Sequence, residues 1–184
     1  MTRADLELLD EVDATIESRD YLHLGREGQG LASVWKLEQR PLRETLIEPN
    51  RLSDERKFAY RQIVSGVEDG AAMAIEIEGR PVATAVVVAR PQFATLELVD
   101  LRVDYDYRRQ GFGTALLYQV IAEARQRGEQ VRAIYAEVNA NNSPAQELLA
   151  RIGFELSGFD ERRHTNHDLV KETATLLWYL QLEE

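Results

Sequence analysis

The run Arg108-Arg109-Gln110-Gly111-Phe112-Gly113-Thr114 constrains the fold more than any other stretch, because it joins a strand to an amphipathic helix through two closely spaced glycines. Thr95 to Val103 before it reads as a strand. After it, Leu116, Leu117, Val120, Ile121 and Ala124 form one helical stripe, which Gly128 stops. The glycines let backbone approach a ligand closely, and the first helical turn offers unpaired N–H groups at the positive end of its dipole. A pyrophosphate fits such a place. A Rossmann fingerprint would need glycine or alanine where Leu116 stands, and a Walker loop would need a Gly-Lys-Ser/Thr that is absent. Taken alone, the loop fits a tight turn at a helix entry equally well.

The pattern on either side predicts an α/β chain. Leu6, Leu9, Val12 and Ile16 recur at three and four residues, which predicts a helix over about 4–18. Gly25, Gly28 and Gly30 read as a flexible loop, Leu31 to Glu38 as a first strand, and Arg40 to Asn50, with Pro41 and Pro49, as irregular. A second helix is expected from Ser53 to about Ser65. Met73, Ile75 and Ile77 then alternate, Glu78-Gly79-Arg80 turns, and Val82 to Val88 is apolar on both faces, so a hairpin with one deeply buried arm is expected. Val131 to Val138 reads as a strand, Pro144 to Arg151 as a short helix, and Gly153 to Ser157 and Glu172 to Leu182 as the last strands. The expected order is α, β, α, β-β-β, α, β, α, β-β on one mixed sheet.

With 184 residues, the chain has the size of one domain. Residues 1–69 are expected to supply N-terminal helices and acceptor-side elements, and about 70–182 a ligand-binding core. Lys and Arg total 22 against 32 Asp and Glu, a net charge of −10. That balance repels phosphate backbones and anionic lipid and argues against nucleic acid as a partner. The longest apolar stretch, Pro81 to Ala89, is about half a membrane span. No membrane association is expected. Without cysteine there is no thiolate nucleophile and no disulfide, and cytoplasmic residence is the default. The chain is expected as a monomer or homodimer.

Three ordered motifs raise the ligand reading of the glycine loop. Leu101-Arg102-Val103, then Tyr107 to Gly113, then Asn141-Asn142 through Ala145 to Gly153-Phe154 resemble the signature of the GNAT N-acetyltransferases over roughly residues 70–182. The resemblance implies a mixed, mostly antiparallel central sheet flanked by helices in a single domain. It also implies acetyl-coenzyme A as acyl donor, with its pyrophosphate on the backbone N–H groups of Arg109, Gln110, Gly111, Phe112, Gly113 and Thr114. Arg108 belongs to the same motif, and the pantetheine arm would pair with the strand at Leu101 and Val103 as an added β-strand. Pro144 suits the first helical position and Ser143 its N-cap, which leaves Asn142 as a coenzyme contact by resemblance. Within the family, Glu137-Val138-Asn139-Ala140-Asn141-Asn142, Gly158-Phe159-Asp160, Leu177-Trp178-Tyr179 and Asp100 resemble the streptothricin acetyltransferases most. Those act on an amine of an aminoglycoside-like antibiotic, which makes antibiotic resistance a possible role. That group usually has tyrosine where this chain has His164.

The resemblance implies transfer of an acetyl group to a primary amine by direct attack in a ternary complex. A protein lysine or N-terminal acetyltransferase and a non-catalytic acyl-coenzyme A binding module are the alternatives. An alkyl ammonium must lose a proton before it attacks, so a carboxylate near the thioester is useful. Asp100 is placed first as amine anchor or base and Glu97 second; strand alternation puts them on opposite faces unless a bulge intervenes. Many relatives carry a tyrosine that protonates the departing thiolate where this chain has Leu149. Leucine cannot donate a proton, so either water or another group serves or the thiolate leaves without a dedicated acid, which a thiol pKa near 8.5 makes tolerable. Glu97, Asp100, Glu137 and Asp160 lie on segments expected to flank the cleft, so a small cationic acceptor is expected. No metal is expected: His164-Thr165-Asn166-His167-Asp168 reads as a polar loop.

Overall fold

The structure, a computed structural model, describes Leu6 and residues 8–182. Leu6 and Leu8 are helical and lead into a 3-10 turn at Leu9–Glu11. The rest of the helix expected over 4–18 is absent from residue 13 onward, and residues 4, 5 and 7 lie outside the described residues. Leu6, Leu9 and Val12 are buried as the spacing predicts. Ile16, however, opens strand β1 (Ile16–Glu27), which turns at Gly28 to Gly30 and pairs antiparallel with β2 (Val34–Glu48). Hence 40–50 is mostly strand rather than irregular. Pro41, which cannot donate to a ladder, sits where the register jumps from Ser18↔Leu46 to Asp20↔Pro41. From residue 13 onward the N-terminal third is therefore a hairpin followed by one helix, α1 (Asp54–Val64). Ser53 caps α1 by accepting from the Arg56 N–H.

This hairpin forms its own two-stranded sheet and does not join the main one, contrary to the single sheet expected. The main sheet has six strands: β3 (Gly70–Ile77), β4 (Arg80–Arg90), β5 (Thr95–Val103), β6 (Ala133–Asn139), β7 (Glu155–Asp160) and β8 (Thr175–Gln181). Their spatial order is β3-β4-β5-β6-β8-β7, and all neighbours are antiparallel except β5 and β6. The parallel pair needs a crossover, which α2 (Phe112–Gln126) provides. Helix α3 (Ser143–Ile152) follows β6.

Burial explains the layers. Val82 to Val88 is buried at every position because β4 is interior and covered on both faces. Ala83, Ala85 and Val87 pack with Leu116, Leu117, Val120 and Ile121 of α2, whereas Val86 and Val88 pack with Tyr60 and Ile63 of α1. Leu24 of the hairpin enters the α2 core, and the Leu22 N–H donates to the Ala140 carbonyl at 2.8 Å. Through these contacts β1 lies beside the end of β6 and the start of α3.

Candidate active site

Strands β5 and β6 are paired only from Thr95↔Ala133 to Leu98↔Ala136. Both continue, β5 to Val103 and β6 to Asn139, so beyond Leu98 they diverge and open a cleft in the sheet. From Asp100 to Val103, β5 is laddered to β4 on one edge; on the other edge no strand pairs with it, and the Val103 carbonyl there accepts from the Arg108 side chain. The same end of β5 leads through a 3-10 turn, Tyr105–Tyr107, into the glycine loop.

Two residues of that loop have positive φ, Arg109 at 61° and Gly111 at 91°. Gly111 thus needs glycine for its backbone conformation. Gly113 needs it for space: a Cβ there would lie 3.0 Å from Leu148 Cδ2 and 3.5 Å from Val103 Cγ2. The first main-chain bond at this entry runs from the Ala115 N–H to the Gly111 carbonyl. The N–H groups of Phe112, Gly113 and Thr114 form the unpaired first turn of α2, an anion-binding arrangement.

These elements enclose a cavity of about 390 Å³. Nine of the ten residues expected to hold the coenzyme line it; Gln110 does not, since its amide donates to the Asp106 carbonyl at 3.2 Å. Two of the nine are used differently from expectation. The Arg108 guanidinium is committed to the protein: it donates to the Thr15 carbonyl at 2.6 Å and the Val103 carbonyl at 3.2 Å, and lies 4.9 Å from the Tyr105 ring centre. It clamps the segment around Thr15 to the end of β5, and Ala14, Ile16 and Glu17 thereby wall the cavity. Asn142, not Ser143, is the N-cap of α3, accepting from the Ala145 N–H, while the Ser143 hydroxyl bonds Ser18 at 2.9 Å across to β1. The carboxamide oxygen of Asn142 is thus engaged in capping at the edge of the cavity. Leu149 is buried in the core beneath α2, and Leu148 is the leucine that lines the cavity.

The two candidate carboxylates lie on the opposite face of β5, the face that α1 covers further along the sheet. Asp100 is almost fully buried, with Oδ2 2.6 Å from Arg102 Nε, and Arg102 also donates to the Asn50 carbonyl at 2.5 Å. Burial and the nearby Asp100 carboxylate push the Tyr60 phenol well above its ordinary pKa. This network locks Asn50 and α1 under the sheet. Glu97 is more accessible and is paired with Arg90 at 2.5 Å. Facing Glu97 across the paired part of the ladder is Tyr135, whose hydroxyl donates to Glu137 Oε1 at 2.5 Å. Burial first, then Glu137, raises the Tyr135 phenol, which stays neutral at physiological pH. Sequence reasoning missed Arg102 and Tyr135. Alternation was the available signal for Tyr135, since Ile134 and Ala136 enter the core and so turn Tyr135 and Glu137 to the other face.

Comparison with known proteins agrees with this geometry. Residues 31–154 match the Acetyltransferase (GNAT) family. A [ribosomal protein bS18]-alanine N-acetyltransferase of Escherichia coli K12 is 44% identical over 57 residues, which is 31% of this chain and 37% of that protein. The chain therefore aligns with little more than a third of that relative's length. Among solved structures, a protein assigned as a streptothricin acetyltransferase from Bacillus anthracis str. Ames, in complex with acetyl coenzyme A, superposes over 100% of this chain and 95% of its own, with a TM-score of 0.78 at 17% identity. A nourseothricin acetyltransferase superposes over 100% and 96%, with a TM-score of 0.77 at 21% identity. At these identities the likeness is one of fold.

Proposed function

The chain belongs to the GNAT family of acetyltransferases, and from that premise we propose that it moves an acetyl group from acetyl-coenzyme A to a primary amine of a small cationic acceptor by direct attack. One observation carries the proposal: the end of β5 that β6 leaves unpaired, at Leu101, and the unpaired first turn of α2 at Phe112–Thr114 line one cavity. An extended pantetheine arm suits the first, and a pyrophosphate suits the second. The donor brings an activated thioester. The protein supplies the anion site, the strand edge that orients the arm, and carboxylates beside the cleft.

Of those carboxylates, Glu97 is assigned here as acceptor of the proton that the attacking amine must lose, reached through water because it does not line the cavity. Asp100 is spent on holding Arg102. With Leu149 in the core, no phenol stands at that position to protonate sulfur, and the thiolate leaves as such. The net charge of −10 and the carboxylates on the cleft face favour a cationic acceptor. The whole-chain fold likeness reported above is consistent with a small acceptor of the streptothricin or polyamine kind. The bS18-alanine acetyltransferase segment supports a second reading, acetylation of a protein N-terminus.

A panel of amines separates the readings. Thiol release and product mass are followed with streptothricin, simple diamines, neutral amines and an alanine-terminated peptide. Acetylation of the cationic small amines, weakened by salt, is expected. Acetylation of the peptide alone would overturn the proposal in favour of the second reading.

A further inference from the structure

The face of the sheet away from α2 and α3 carries a second feature beside the cleft. Glu137 is the first residue of β6 beyond the last β5–β6 pair, so its side chain stands where the sheet opens. Its Oε1 accepts from two donors, the Tyr135 hydroxyl at 2.5 Å and Arg163 Nη2 at 2.9 Å. Tyr135 packs against Tyr179 of β8 with ring centres 4.8 Å apart, which fixes the phenol and with it the carboxylate. Arg163 comes from the segment between β7 and β8 and is half exposed, whereas Glu137 is about three-quarters covered. The carboxylate is therefore built into the sheet, and its cationic partner is a surface side chain.

We propose that Glu137, held by Tyr135 and flanked by Tyr179, is the subsite for an acceptor ammonium group that is not acetylated, and that Arg163 occupies it until the acceptor arrives. The inference rests on the small cationic acceptor proposed above and narrows it to molecules with two amino groups. A carboxylate paired with an ammonium group favours its protonated form. That suits a group that stays a cation and opposes the one that must lose a proton to attack. Both bonds seen here end on Oε1, so Oε2 is open to a second donor. Aromatic rings beside a carboxylate also favour a cation over a neutral group.

The test compares a diamine with a monoamine of equal chain length in wild type, Glu137→Gln and Arg163→Gln. The two variants should move the diamine KM in opposite directions. Removing the internal competitor in Arg163→Gln should lower it by about two- to fivefold, the worth of an exposed ion pair. Glu137→Gln should raise it by about ten- to a hundredfold, as expected for a lost hydrogen bond to a charged group. The monoamine KM should change little in either. Calorimetry with coenzyme A, expected to be unchanged, shows that each variant is folded, and Arg163→Gln, on the surface, carries the test if Glu137→Gln does not fold. A diamine KM that rises or stays constant in Arg163→Gln would overturn the inference, as would an equal loss for both amines in Glu137→Gln. If wild type acetylates neither amine, the proposed acceptor class itself fails and this subsite with it.

Discussion

Glu97 and Asp100 share one face of β5 although three positions separate them. Val86 pairs with Asp100 and Val87 with Leu98, so Val99 is an extra residue that shifts the alternation by one. Simple alternation would have sent one carboxylate into the α2 core. The bulge turns both to the face away from α2, neither lines the cavity, and their partners differ: Asp100 pairs with a buried guanidinium, Glu97 with a more exposed one.

Asp100→Asn should act on stability first. It leaves Arg102 as a buried, uncompensated charge, which typically costs about 3–5 kcal/mol. Glu97→Gln should leave stability nearly unchanged and lower kcat/KM by about 10²- to 10⁴-fold, as loss of a general base does. Denaturant titration paired with steady-state kinetics reads both. A stable but inactive Asp100→Asn would return the role of base to Asp100.

Gly113→Val should abolish coenzyme A binding and also lower stability, because its Cβ meets Leu148 at 3.0 Å. Adding Leu148→Ala relieves that contact. The double variant should recover part of the melting temperature but not the affinity, since the valine still covers the first turn of α2. Melting curves and calorimetry check the two halves separately.

Arg108→Met should loosen the segment around Thr15 by removing two hydrogen bonds from a charged donor, each worth about 1.5–3 kcal/mol. The expected outcome is a raised KM for acetyl-coenzyme A with a smaller change in kcat, and faster proteolytic cleavage between residues 10 and 20. A role confined to phosphate contact would leave proteolysis unchanged.

Asp168 gives a pH dependence. Its carboxylate accepts from the His164 and Thr165 N–H groups and the Thr165 hydroxyl at 2.7–2.9 Å. Its folded pKa lies below the ordinary value of 3.8 despite burial, because those hydrogen bonds favour the charged form. A depressed folded pKa adds stability above about pH 4 that is lost as pH falls through the folded value. Asp168→Asn should therefore melt lower than wild type at pH 7, with the gap closing below about pH 4.

From β3 onward the fold was legible because each element carries its own period. Met73 to Ile77 alternate, and Leu116 to Ala124 form a stripe. The first fifty residues were not, for two physical reasons. Ile16 continues a helical spacing by coincidence, and nothing local announces that its partner is Glu48, thirty-two positions on. β2 is largely exposed, so no burial alternation marks it. The glycine loop was readable as an anion site because φ and helix-entry constraints are local. Arg108 as clamp was not, since Thr15 is brought to it by the fold; nor was Asn142 rather than Ser143 as cap, since it is Ser18 of β1 that the fold brings to the Ser143 hydroxyl. The Val99 bulge likewise leaves no trace in composition.

The central claim is that an amine attacks the thioester directly, with no acyl-enzyme. Rapid mixing of the protein with acetyl-coenzyme A, with and without a diamine, tests it by following free thiol and acetylated amine together. The account predicts no thiol release without the amine and equal amounts of thiol and acetylated diamine with it. A burst of thiol before any amine is added, or acetyl-coenzyme A bound with no amine-dependent release, would contradict it.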